Sequence, residues 1–188
     1  YKVDLKSFDD RHYRQLGGRL QPILDSIRRL HEMEFWLEIV TLIIPGFNDS
    51  DDELRAMAEF LAAISPDIPW HVTAFHPDYK MSDTPFTPAE TLLRAAALGK
   101  NAGLRYVYAG NLPGHVGELE NTRCYNCDAL LIRRYGYLIR EYNLTPQGAC
   151  PQCGTRIPGH WDDRFQGQIA SMPFLPRFRS RSSLISIS

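Results

Sequence analysis

The chain has 188 residues, 44% of them apolar and 23% charged, with a formal net charge of -1. That length suits one sizeable core plus an appendage. The near-neutral balance excludes a whole-chain field that would draw nucleic acid or an anionic membrane, and no run of 18 apolar residues marks a transmembrane helix.

Tyr1 opens directly into YKVDLK, without a methionine or a signal-peptide pattern, so the expectation is a fragment of a cytoplasmic protein. Residues 1–5 read as a short strand. Ser7 with Asp10 three positions on is a weak helix start, and Leu20, Ile23, Leu24, Ile27 and Leu30 mark a helix through about His31. Phe35 to Ile44 is an almost continuous apolar run before Pro45-Gly46, as expected of a strand buried on both faces. Ser50 and Glu53 form a capping-box pattern for a helix to about Ile64, before Pro66. Trp70 to Phe75 is the third strand. Thr87-Pro88-Ala89-Glu90 supplies an N-cap and a first-turn proline for a helix ending at Gly103, and Leu104 to Ala109 is the fourth strand.

Four strands separated by helices predict an α/β fold with a parallel sheet, either closed as a barrel or open and doubly wound. Ligands in both architectures sit at the carboxyl ends of the strands, here Asp4 to Lys6, Pro45 to Asn48, Phe75 to Lys80 and Gly110 to His115. The alternation stops near Gly117. A hairpin from Leu130 to Tyr142 is expected to turn near Gly136, and the Arg-, Ser- and Pro-rich residues after Trp161 are expected to be disordered. The domain reading is thus 1–116, 117–161 and a tail, 162–188.

Cys124-Tyr-Asn-Cys127 and, 22 residues on, Cys150-Pro-Gln-Cys153-Gly place two thiolates at each of two tight turns. In a reducing compartment such pairs are metal ligands rather than two disulfides. Four sulfurs leave no open coordination position, so the site is structural, with zinc the expected ion and iron the competing one. Nucleic-acid binding by this ribbon is not expected. From Glu118 to Trp161 five basic side chains face four acidic ones, a net of only +1.

Asp4 and Lys6 flank Leu5 at strand spacing and point to one side of the sheet. They form either an ion pair or a pair that receives the ammonium and carboxylate of an amino-acid ligand. His76 lies just past the third strand, while Asn111 and His115 read as turn chemistry and Asn48-Asp49-Ser50 as a helix start. His12, His31 and His71 show no partner pattern.

Y-K-V-D-L-K, L-I-I-P-G-F-N-D, A-F-H-P-D-Y-K-M, Y-V-Y-A-G-N-L-P-G-H and the cysteine pairs with C-G-T-R-I-P-G, in that order, resemble radical S-adenosylmethionine enzymes of the AmmeMemoRadiSam type. These are relatives of the pyruvate formate-lyase activating enzyme. The resemblance, over about residues 1–161, implies a partial (β/α) barrel, S-adenosylmethionine and a [4Fe–4S] cluster as cofactors, a 5′-deoxyadenosyl radical as product, and a protein substrate as partner. It also implies that Asp4 and Lys6 lie by the methionyl part of the cofactor and His76 by its adenine; Thr41 is expected to face the same cavity. The family's cluster motif, C-x-x-x-C-x-x-C, does not occur in these 188 residues. The expectation is therefore the carboxyl-terminal portion of such an enzyme, inactive alone. Alternatives are a (β/α)-barrel lyase or isomerase with Lys6 as nucleophile, and a binding module built on the ribbon.

Overall fold

The computed structural model describes residues 1–79 and 81–161, so the expectation for the tail falls outside the described residues. Strands β1 (Lys2–Asp4), β2 (Glu38–Ile43), β3 (Trp70–Ala74) and β4 (Val107–Gly110) form a parallel sheet in the order β1-β2-β3-β4. Helices α1 (Asp10–Gln15), α2 (Leu20–Glu32), α3 (Asp51–Ile64) and α4 (Ala89–Asn101) fill the connections. The described strands make an open sheet with β1 and β4 at its edges.

Helix-facing strand residues, among them Ile39, Ile43, Trp70, Val72, Ala74, Val107 and Ala109, share one core with Leu24 and Ile27 of α2, Leu54, Met57 and Leu61 of α3, and Leu92 and Ala95 of α4. Gly99 lets α4 approach closely: a Cβ there would stand 2.8 Å from Val107 Cγ2 and 3.0 Å from Trp70 Cε3. Successive strand side chains alternate between faces, so the helices cover only one of them. β2 accordingly alternates buried Ile39, Thr41 and Ile43 with half-buried Glu38, Val40 and Leu42. The expectation of burial on both faces is corrected: the apolar run reflects one helix-covered face and one shallow, partly sheltered one.

The helix starts are partly as the local sequence indicates. Ser50 Oγ accepts from the Glu53 amide, and Asp51, Asp52 and Glu53 place negative charge in the first turn, where the helix dipole favours it. The Glu53 carboxylate does not return to Ser50 but accepts from the Phe8 amide (2.7 Å) and the Ser7 hydroxyl. Ser7 is therefore buried rather than a cap, and Asp9 caps α1 through the Arg11 amide. Thr87 is likewise not the N-cap of α4, which is Pro88. Its hydroxyl accepts from the Phe75 amide (2.9 Å) and donates to the Ile43 carbonyl (2.6 Å), joining the ends of β2 and β3.

Beyond a short 3-10 helix, Gly117–Glu120, strands β5 (Thr122–Arg123), β6 (Leu130–Tyr135) and β7 (Leu138–Tyr142) form a second, antiparallel sheet. The hairpin turns at Gly136, whose φ of +56° suits a residue without a Cβ. A second core gathers Cys124, Leu131, Ile132, Leu144, Cys150 and Ile157 together with Tyr106, next to the edge strand β4.

Candidate functional site

Each cysteine pair sits in a tight turn. The Asp128 amide donates to the Cys124 carbonyl and the Gly154 amide to the Cys150 carbonyl, both at 2.9 Å. Asp128 (φ +59°) and Gly154 (φ +74°) take the left-handed conformation that turns the chain back. The four Sγ atoms lie within 4.8 Å of one another, and all four cysteines are free thiols. Cys124–Cys153 and Cys127–Cys150 Sγ separations are each 3.6 Å. That is far beyond a disulfide bond and close to the edge of about 3.8 Å expected for a tetrahedron with metal–sulfur bonds of ~2.3 Å. This is a four-cysteine metal-binding group. Its sulfurs do not share one proton affinity. Hydrogen bonding with Thr155 brings the Cys153 thiol down to about 6. The Ala129 amide favours the Cys127 thiolate, but the neighbouring sulfurs of Cys153, Cys150 and Cys124, with burial, outweigh it and push that thiol up to about 12. A divalent cation relieves such crowding, because all four ligands can then ionise together.

Asp4 and Lys6 do share one side of β1. Lys6 Nζ lies 3.4 Å from Asp4 Oδ2, and Lys2 Nζ lies 2.9 Å from Asp4 Oδ1. Partial burial works to raise the Asp4 carboxyl, but the Lys2 hydrogen bond and the Lys6 and Lys2 charges outweigh it and hold it below the usual carboxylate range. The backbone at Lys6 is clamped from both ends: its amide donates to the Tyr13 hydroxyl (3.0 Å) and its carbonyl accepts from Asn48 Nδ2 (2.6 Å). Asn48 also donates to the Leu42 carbonyl and accepts from the Ile44 amide, and it is fully buried. It is thus a strut between β1 and β2 as well as part of a helix start. Its place between Gly46 and Ser50 carries no sequence signal for the first role.

His76 stands beyond β3, two strands or about 10 Å across the sheet from β1. It is exposed, with Nδ1 2.7 Å from the Pro77 carbonyl and its ring edge-on to Phe86. Asn111 donates from Nδ2 to the Ala74 carbonyl and takes a positive φ, the turn role expected of it. Thr41 is a correction. It lies on the helix-covered face, opposite to Asp4, and its hydroxyl donates to the Leu5 carbonyl and accepts from Trp70 Nε1, each at 2.9 Å.

Two histidines without an evident sequence partner have one in space. His12 contacts Ser7 Oγ at 3.0 Å. His71 Nε2 lies 2.8 Å from Glu38 Oε2, whose other oxygen accepts from Trp36 Nε1. The His71 hydrogen bond holds the Glu38 carboxyl below its ordinary value of 4.5 against the raising effect of burial. A carboxyl so depressed binds fewer protons folded than unfolded. Its share of stability is complete above the ordinary value and is lost as pH falls through the folded one. Glu38→Gln is therefore expected to flatten the decline of the urea midpoint below pH ~4.5. An unchanged acid limb counts against this pairing.

Three comparisons bear on what this arrangement is. No protein-family model matches the chain. Among curated proteins it is 40% identical over 157 residues to an uncharacterized protein of Methanocaldococcus jannaschii, covering 82% of this chain and 46% of that protein. It is 32% identical over 126 residues to the benzylsuccinate synthase activating enzyme of Thauera aromatica, covering 57% of this chain and 37% of that enzyme. It is also 32% identical over 74 residues to the isethionate sulfite-lyase activating enzyme of Oleidesulfovibrio alaskensis, covering 36% and 24%. The crystal structure of a domain of a pyruvate-formate lyase-activating enzyme from Bacteroides vulgatus matches with a TM-score of 0.52 and 25% identity, over 58% of this chain and 66% of that one. The chain spans less than half the length of each of these curated relatives.

The chain is thus similar to proteins named as activating enzymes of benzylsuccinate synthase, isethionate sulfite-lyase and pyruvate-formate lyase. This chain is a relative of the radical S-adenosylmethionine activating enzymes.

Proposed function

We propose that this chain is the carboxyl-terminal portion of a radical S-adenosylmethionine enzyme of the activating type. Residues 1–116 are part of its (β/α) barrel and residues 117–161 form a structural zinc ribbon. The observation that carries this reading is the pairing of Asp4 and Lys6 on the open face at the carboxyl end of β1. A carboxylate and an ammonium side by side match the two charges of an amino acid. Asp4 receives the methionyl ammonium, Lys6 the methionyl carboxylate, and His76 lies by the adenine. The chain thus fits S-adenosylmethionine.

It does not fit the [4Fe–4S] cluster that cleaves this cofactor reductively to a 5′-deoxyadenosyl radical in the complete enzyme. All four cysteines of the chain lie together in one shell, so none is left to ligate a cluster beside Asp4. The cluster ligands belong to a segment outside these 188 residues. The target of the radical is a protein partner, in keeping with relatives whose names describe activation of other enzymes. Four cysteines gathered as metal ligands rather than as disulfides accord with a reducing compartment such as the cytoplasm. No helix among the described residues is long and apolar enough to cross a membrane.

Anaerobic reconstitution of the chain with iron and sulfide, followed by reduction and addition of S-adenosylmethionine, is expected to yield no 5′-deoxyadenosine. A longer polypeptide that carries a C-x-x-x-C-x-x-C loop ahead of β1 is expected to yield it, and Asp4→Asn in that polypeptide to lower turnover at least ~10-fold. Product from the 188-residue chain alone, or full turnover by the Asp4 variant, overturns the reading.

A further inference from the structure

The open face of the sheet and the four-cysteine module enclose a cavity of about 710 Å³ that neither Asp4, Lys6 nor His76 lines. Its size falls within the range of small-molecule sites. Glu38, His71 and Tyr108 contribute from β2, β3 and β4, with the imidazole stacked on the Tyr108 ring at 5.2 Å. Trp36 contributes from the sheet side, and Trp161 and Arg134 from the module.

Charge in this cavity is unevenly matched. The Glu38 carboxylate is taken up by His71 and Trp36, and Lys2 is paired with Asp4. Glu120 turns both carboxylate oxygens to backbone amides, those of Gly114 (3.0 Å) and Gly136 (2.7 Å). Arg134 differs. Its Nη1 donates to Thr122 Oγ1 (2.7 Å) and to the Glu120 backbone carbonyl (3.3 Å), both neutral, and no ion pair with a carboxylate is found for it among the described residues. The same Thr122 hydroxyl meets the Tyr108 hydroxyl at 2.9 Å, and the guanidinium carbon lies 5.6 Å from the Tyr108 ring centroid. The Tyr108 hydroxyl also lies within the reach of this guanidinium, so the polar groups that hold Arg134 are neutral and leave its charge for an incoming anion. A planar guanidinium is the side chain best shaped to meet a carboxylate.

We propose that this cavity is a second binding site, for a small aromatic carboxylate, with Arg134 receiving the carboxylate and Tyr108, His71, Trp36 and Trp161 enclosing the ring. Binding here goes beyond the cofactor reading and does not require it, because none of the three rim residues takes part.

Titration of the 188-residue chain with 4-hydroxyphenylacetate, followed by calorimetry and tryptophan fluorescence, is expected to give saturable binding. Two probes divide the recognition: 4-hydroxyphenylacetamide keeps the shape without the charge, and acetate keeps the charge without the ring. Each is expected to bind at least ~10-fold more weakly. Arg134→Gln is expected to weaken the arylacetate by a similar factor and leave the amide unchanged, with Arg134→Lys intermediate. Because Arg134 also ties β6 to Thr122, the comparison of probes on the unaltered chain is decisive on its own. Equal affinities for the arylacetate and its amide, equal affinities for the arylacetate and acetate, or no saturation by about 10 mM overturns the proposal.

Discussion

Stripping the metal from the four-cysteine centre is expected to unfold residues 117–161 and leave the parallel sheet folded. The second core contains only a handful of buried side chains, and two of them, Cys124 and Cys150, are ligands. Few apolar groups are left to hold β5 to β7 together, whereas structural zinc in small peptides supplies roughly 10–16 kcal/mol of apparent binding free energy. Without the ion the sulfurs, 3.6 Å apart in two pairs, repel as they ionise. Amide hydrogen exchange is the direct measurement. After chelation, the protection of Arg133, Arg134 and Glu141 should fall to that of an unfolded segment, while that of Val40, Val72 and Ala74 should persist. Cys124→Ser should reproduce this pattern without a chelator. Persistent protection across β6 and β7 in metal-free protein would show that the ribbon stands without its ion. Metal analysis of the purified chain should give one zinc per chain, and a reddish, iron-containing product would reassign the site to iron.

Trp70→Ala is expected to cost about 3–5 kcal/mol of the parallel domain's stability, out of a total that for such domains is of order 5–15 kcal/mol. The indole is fully buried, lies against α4 where Gly99 makes room for it, and donates from Nε1 to Thr41 Oγ1 at 2.9 Å. Truncation opens a cavity that Gly99 cannot fill. Trp70→Phe keeps most of the volume but loses the hydrogen bond, and should cost about 1–2 kcal/mol. Urea unfolding followed by circular dichroism separates the two. A loss below about 2 kcal/mol for the alanine variant would mean that the helix-covered core closes over the gap at the α4 contact.

Local features were legible where a few consecutive residues decide the outcome. Ser50 caps α3 because its hydroxyl needs only to reach an amide three positions on, and Gly136 marks the hairpin because its own φ is positive. The cysteine pairs were legible because each pair closes within its own turn, and Asp4 with Lys6 because a strand alternates every two residues. Thr87 shows the limit of such reasoning. It has the chemistry of an N-cap and stands where one is expected, yet its hydroxyl bridges Phe75 and Ile43 across two strand ends. The capping box of α3 fails in the same way, since Glu53 finds Ser7 and Phe8 some 45 residues away.

The phase of β2 is the clearest case. An apolar run sets period and extent but not which half of the residues meets the helices, so Thr41 was expected beside Asp4 and lies on the opposite face. By itself the sequence determined the order of the elements, the turns and caps formed by neighbouring residues, the four-thiolate group and the shared side of Asp4 and Lys6. The tertiary structure alone decided which strand face is covered, the strut at Asn48, the Glu38–His71 pair and the contact of Arg134 with Thr122. These depend on residues brought together across 12 positions or more, or on the module folding over the sheet, and neither propensity nor spacing carries that information.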